Sequence, residues 1–119
     1  MRILITGSRD YTNYNKMKDS ILEVVHTANT DASNVCIVHG GASGADYLAG
    51  EIARELGFSE EVHYADWKNL GRKAGPLRNQ KMVDLGADIC IALPKGESRG
   101  TRNCMKLAHK AGIEVIVAT

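Results

Sequence analysis

Three times in this chain a stretch with helical spacing of apolar residues stops at a glycine and a strand-like run follows, at Gly57-Phe58, Gly86-Ala87 and Gly112-Ile113. A glycine just past the last helical turn closes a helix in the left-handed conformation. Helix, stop and strand, repeated, imply strands alternating with helices, hence right-handed crossovers and a parallel sheet. The 119 residues suffice for one domain over 1–119, which at this length buries roughly two-thirds of the surface its unfolded chain exposes.

The apolar runs place strands at Arg2 to Thr6, Val35 to His39, about Glu61 to Tyr64, Ile89 to Leu93 and Glu114 to Ala118. They are continuous rather than alternating, as in parallel strands covered on both faces. Helical spacing predicts helices from about Asn15 to Ala28, Ser43 to Leu56, Pro76 to Leu85 and Gly100 to Ala111. In the last, Met105, Ala108 and Ala111 are expected to point inward. The expected fold is α/β: a doubly wound, Rossmann-like sheet of five parallel strands with helices on both faces. The expected strand order is 3-2-1-4-5, with 2-1-3-4-5 as the alternative. In such sheets ligands bind beyond the carboxyl ends of the strands, where the order switches.

Every strand-to-helix loop falls at that edge, and these loops hold the unusual residues: Gly7-Ser8-Arg9, His39 to Asp46, Asp66 to Gly75 and Pro94 to Thr101. The helix-to-strand loops are short and plain. In the second loop, Gly40, Gly41 and Gly44 let the backbone turn sharply and approach a ligand. A helix starting near Ser43, with Ser43 and Asp46 resembling a capping box, would point free N–H groups and a partial positive charge at an anion. Gly40, Gly41, Ser43 and Gly44 are thus expected to cradle a phosphate; the plain alternative is a tight turn without a ligand. Ser98-Arg99-Gly100-Thr101 opens a second helix at the same edge. Arg9, Arg72, Arg78 and Arg99 offer planar forks of donors that match phosphate oxygens. Asp46 or Asp66 would accept from hydroxyls of the ligand. His39 ends its strand beside the glycines, and Trp67 would either stack on a base or wedge loop against helix.

Other chemistries lack their signatures. Neither a Gly-x-Gly-x-x-Gly turn nor a Gly-Lys-Ser/Thr loop is present, which disfavours nicotinamide-dependent hydride transfer and P-loop ATP hydrolysis. Cys36, Cys90 and Cys104 are widely spaced without a Cys-x-x-Cys pair, so no metal site is expected. Cys36 and Cys90 sit in apolar runs and should be buried. No cofactor is required; a ligand with phosphate groups is expected. The net charge of +1 argues for no partner class. No run approaches the roughly 20 apolar residues of a membrane span, and Met1 to Gly7 turns polar too early for a signal peptide. A soluble, cytoplasmic protein is the expectation.

Together these motifs resemble the SLOG superfamily, specifically its YspA-like, YpsA-related small branch. The stretches that carry the resemblance are Ile5 to Asp10, His39 to Asp46, Ala65-Asp66-Trp67, Gly71 to Asn79 and Ser98 to Thr101. The resemblance implies a Rossmann-like domain that binds, and senses or processes, nucleotides or nucleoside-phosphate derivatives. It extends the site to Gly7, Ser8 and Asn79.

Two better-understood families are more distantly similar. The Lonely Guy family cleaves the N-glycosidic bond of nucleoside monophosphates. Its Arg-x-x-x-Met pattern resembles Arg78 to Met82, and its Pro-Gly-Gly-x-Gly-Thr-x-x-Glu pattern partly resembles Pro94 to Cys104. Cys104 stands where that family has its catalytic Glu, so a hydrolase would draw on Arg78 with Asp46, Asp66 or Glu97. The DNA-processing A family, which binds single-stranded DNA, is similar at Gly7-Ser8-Arg9, Gly40 to Gly44 and Arg78-Asn79. With 5% aromatics and little net charge, nucleic acid ranks third as a partner. Single-domain relatives often dimerise, so a homo-oligomer is also expected.

Overall fold

The computed structural model describes residues 1–118. Five strands, β1 (Arg2–Gly7), β2 (Cys36–His39), β3 (Ser59–Val62), β4 (Ile89–Leu93) and β5 (Val115–Val117), alternate with helices. They form one sheet in the order β3-β2-β1-β4-β5, and every pairing is parallel. The fold class and strand order expected from the sequence are those the chain adopts.

The helices are α1 (Tyr14–Thr27), α2 (Ala45–Leu56), α3 (Trp67–Leu70), α4 (Ala74–Asp84) and α5 (Arg99–Lys110). Period-2 alternation along the central strands sorts them onto two faces. Ile3 and Ile5 of β1, Ile37 of β2 and Ile91 of β4 pack with Met17 and Ile21 of α1 and Ile52 of α2. On the other face Leu4, Val38 and Cys90 pack with Met82 and Val83 of α4 and with Cys104 and Ala108 of α5. A fully buried aliphatic side chain contributes about 1.5–3 kcal/mol, so both layers hold the sheet firmly beneath its loops. The direction of winding reverses between β1 and β4. β1 leads to α1 on one face and β4 to α5 on the other, which opens a crevice above Gly7 and Leu93.

Several boundaries differ from the sequence reading. β3 starts two residues earlier than expected. Its Ser59-Glu60-Glu61 is polar, yet it pairs with β2 from Cys36↔Ser59 to His39↔Val62, because an edge strand tolerates polar side chains. The loop from Ala65 to Gly75 is not irregular. Asp66 accepts from the Asn69 backbone N–H and starts α3, a 3-10 turn covers Gly71–Lys73, and α4 begins at Ala74. Cys36 is half-buried rather than buried. The inward face of α5 is Thr101, Cys104 and Ala108; Met105 is half-buried and Ala111 exposed. Among the described residues, no helix is long and apolar enough to cross a membrane, and no group of three or more His, Cys, Asp or Glu side chains could hold a metal ion.

Candidate functional site

A cleft of about 520 Å³ lies at the switch point. One wall is the end of β1 and its loop, Thr6 to Arg9. A second wall is α4, with Gly75, Pro76, Arg78, Asn79 and Met82. The start of α5 closes one end with Ser98 to Thr101 and Asn103, while Ala42, Asp46 and Trp67 complete the lining.

Arg78 is anchored from three directions. Its Nη1 donates to the Gly40 carbonyl at 2.7 Å and to the His63 carbonyl at 3.4 Å, and its Nε donates to Asn79 Oδ1 at 2.9 Å. Nη2 has no protein partner among the described residues. Burial pulls the Arg78 pKa below its ordinary value, opposed by the neighbouring Asp46 carboxylate, but a guanidinium stays protonated in proteins. The result is a fixed cation with a free donor in the cleft.

α5 begins in a form suited to an anion. Its N-cap, Ser98, is left-handed at φ 44°, and no side chain caps the helix. Ser98 Oγ donates instead to Thr101 Oγ1 at 2.7 Å. The first amides of α5 therefore carry no capping partner, and a β-carbon on Gly100 would have nothing within 4 Å. Arg99 stands at this helix start, 88% exposed and paired with Glu97.

The glycine loop is built differently from its sequence reading. Its amides turn inward. Gly40 and Ala42 N–H donate to Asp46 Oδ2 at 3.2 and 3.3 Å, and Gly41 N–H donates to His39 Nδ1 at 3.0 Å. Ala45 N–H donates to the Ser8 carbonyl. The phosphate cradle expected of Gly40 and Gly41 is therefore not the arrangement the chain adopts. The capping box is also absent. Gly44, at φ 74°, is the N-cap of α2, and Ser43 Oγ donates to the Arg9 carbonyl. A β-carbon on Gly44 would lie 2.4 Å from the Ser8 and Arg9 backbone, so the β1–α1 loop covers the start of α2. Gly7 has a packing role too, with Ala45 Cβ 2.4 Å from where its own β-carbon would be.

Asp46 sits between these layers, 7% exposed. Burial pushes its carboxyl pKa up, while the two loop amides and Arg78 oppose the rise. One oxygen holds the loop; Oδ1 makes no hydrogen bond among the described residues. Among the described residues, Asp46 is the one carboxylate residue lining the cleft.

The remaining expected site residues scatter. Trp67 is half exposed; its edge covers Gly75, and the Arg9 guanidinium lies over its ring, 5.3 Å from the centroid. Asp66 is engaged in capping α3, and Arg72 and Glu97 are exposed outside the cleft lining. His39 is buried and faces a separate hollow of about 240 Å³ on the far side of the glycine loop. Since its Nδ1 accepts from Gly41, its proton is on Nε2 and is donated to Glu60 at 2.6 Å. Cys104 is fully buried beneath α5 and lies outside the cleft lining. Lining residues that the sequence reading did not name as site residues include Pro76, Met82 and Asn103. Asn103 stands one helical turn past Arg99, a spacing that marks it as sharing that face.

The model of the family described as "YAcAr: YspA, cpYpsA-related SLOG family" matches residues 1–70, which take in β1 to β3 and the glycine loop. The chain is also similar to the Gene 61 protein of Mycobacterium phage D29, at 47% identity over 120 residues, covering 97% of this chain and 94% of the relative. No solved structure matches the chain.

Proposed function

This chain belongs to the YspA, cpYpsA-related SLOG family, and from that premise we propose that its cleft binds a nucleotide or another nucleoside-phosphate derivative, which the protein senses or processes. The observation that carries this reading is Arg78 clamped with one terminal nitrogen free, beside the uncapped start of α5. A guanidinium and a helix N-terminus converging on one hollow favour a ligand with phosphate oxygens. The phosphate rests on Arg78 and the amides of Gly100 and Thr101, with Arg99 at the rim. Asp46 Oδ1 accepts from a ribose hydroxyl, and the base reaches the face of Trp67.

The test is thermal stability against nucleoside mono-, di- and triphosphates, ADP-ribose, NAD and a short oligonucleotide. A ligand at about 100 times its dissociation constant adds roughly 2.7 kcal/mol, a shift on the order of 10 °C for a domain of this size. The expected result is a shift with a small nucleotide that shrinks in Arg78→Lys, which keeps the charge and loses the fork. A flat response to all of them at millimolar concentration overturns the reading.

A second reading, hydrolysis of the base–ribose bond of a nucleoside monophosphate, is favoured by Asp46 alone. Cleavage of that bond develops positive charge on the ribose, which a carboxylate stabilises, and Asp66 and Glu97 lie outside the cleft lining. Free base released by the parent protein and not by Asp46→Asn supports it; bound nucleotide recovered intact excludes it.

A further inference from the structure

Asn79 lines the cleft floor, 4% exposed, but its polar atoms are already committed within the protein. Oδ1 accepts from Arg78 Nε at 2.9 Å. Nδ2 donates to the Gly100 carbonyl at 3.2 Å and to Asn103 Oδ1 at 3.0 Å. A carboxamide has two N–H donors, and both are used. The side chain therefore ties the anchored guanidinium on α4 to the first turn of α5.

That tie has a physical purpose. An arginine side chain carries about 2 kcal/mol of rotamer entropy, which must be lost before it holds a ligand. Arg78 loses it in advance, because its acceptors come from separate segments: Gly40 in the loop after β2, His63 after β3, and Asn79 on α4. Of these, only Asn79 also reaches the helix start that supplies the other donors of the cleft. Asp in its place would still accept from Arg78, but would set an oxygen against the Gly100 carbonyl and Asn103 Oδ1. Ala would release both ends. Asn is the residue that accepts on one side and donates on the other.

We infer that Asn79 is a positioning residue: it does not contact the ligand, but locks Arg78 and the start of α5 into one register, and so sets the phosphate-dependent part of binding. This rests on the nucleotide-binding reading above.

The experiment is a double-mutant cycle by titration calorimetry on the full chain. The probes are inorganic pyrophosphate, the four common nucleoside monophosphates and their matching nucleosides. Asn79→Ala is expected to weaken the best monophosphate, and pyrophosphate, about tenfold, the usual scale for a hydrogen bond to a charged group. Nucleoside affinity should stay within about twofold. In the Arg78→Ala background the same substitution should cost clearly less than tenfold in monophosphate affinity, since one of the two groups it positions is gone and only the start of α5 is left to hold. Asn103→Ala removes one of the two acceptors and leaves Asn79 in place, so it should give a smaller loss of the same phosphate-selective kind; it serves if Asn79→Ala does not fold. Equal weakening of nucleoside and monophosphate, or full additivity with Arg78→Ala, overturns the assignment. A parent that binds no phosphate-bearing probe overturns the functional reading itself, and the assignment falls with it.

Discussion

Gly40 and Arg78 compete for one volume: a β-carbon on Gly40 would lie 2.2 Å from Arg78 Nη1, the nitrogen that donates to the Gly40 carbonyl at 2.7 Å. Gly40 is absent from the positive-φ glycines, so close approach, and not backbone freedom, explains it. Gly40→Ala should evict the guanidinium and leave a carbonyl without its donor. The expected cost is about 1–3 kcal/mol of stability, together with a loss of nucleotide affinity close to that of Arg78→Ala. Gly100→Ala, where the added carbon meets nothing, should melt with the parent. Chemical denaturation and calorimetric titration of the three variants check this. Parent-like affinity in Gly40→Ala would mean that Arg78 does not hold the ligand.

Acid should weaken the sheet at one identifiable pair. Arg2 on β1 reaches Glu61 on β3 with both terminal nitrogens, at 2.8 and 2.9 Å. The Arg2 hydrogen bonds first, and then the His63 contact, hold the Glu61 carboxyl down at about 2, against an ordinary value of 4.5. A depressed native pKa stabilises the fold above the unfolded value and is lost as pH falls. The contribution is therefore whole above about pH 4.5 and disappears toward about pH 2. Glu61 is about a third exposed, and solvent screening keeps the effect modest. Glu61→Gln should be less stable than the parent at neutral pH, with the gap closing on acidification. A gap of constant size would show that the pair does not titrate in this window.

Much of the frame is legible in the residues alone. β4 reads from Ile89 to Leu93 to the residue, because a central parallel strand is apolar on both faces and Asp88 and Pro94 bound the run. β3 begins two residues ahead of its apolar signal, because Ser59, Glu60 and Glu61 sit on an edge strand where polarity is tolerated. Arg78, Arg99, Gly100 and Thr101 do gather at one cleft, since strand-to-helix loops of a parallel sheet all open on the same edge. The inward turn of the glycine loop is not legible. An Asp near a helix start reads as a cap, and only the three-dimensional path of the chain shows Asp46 bonding back to Gly40 and Ala42. Asn79 likewise reads as a ligand contact, because its partners, Gly100 and Asn103, meet it only once α4 and α5 are packed side by side.

Cys104 separates a structural role from a catalytic one. It stands where the Lonely Guy pattern that Pro94 to Cys104 partly resembles has a carboxylate, yet it is fully buried, within the apolar layer beneath α5. Cys104→Ala should cost about 1 kcal/mol and leave nucleotide affinity within about twofold. Cys104→Glu forces a carboxylate into that layer; stability should fall by several kcal/mol, with no release of free base. A Cys104→Glu protein that melts like the parent and releases base from a nucleoside monophosphate would show that this side chain reaches the cleft.

Trp67, the chain's one tryptophan, should report on base binding in the cleft. The Arg9 guanidinium over its ring contributes about 0.5–1 kcal/mol at an exposed site. A stacked base is worth about 1–3 kcal/mol, so a nucleotide base can displace the guanidinium, which then turns to the phosphates. Trp67→Ala should weaken nucleotide binding by up to about 70-fold, the stacking less the Arg9 contact it replaces, and leave pyrophosphate binding nearly unchanged. Tryptophan emission of the parent should change on adding a nucleotide and respond far less to pyrophosphate. If pyrophosphate alone produces the full change, the signal reports Arg9 leaving the ring toward an anion. If Trp67→Ala weakens both ligands equally, the indole serves as a wedge over Gly75, and the base binds elsewhere in the cleft.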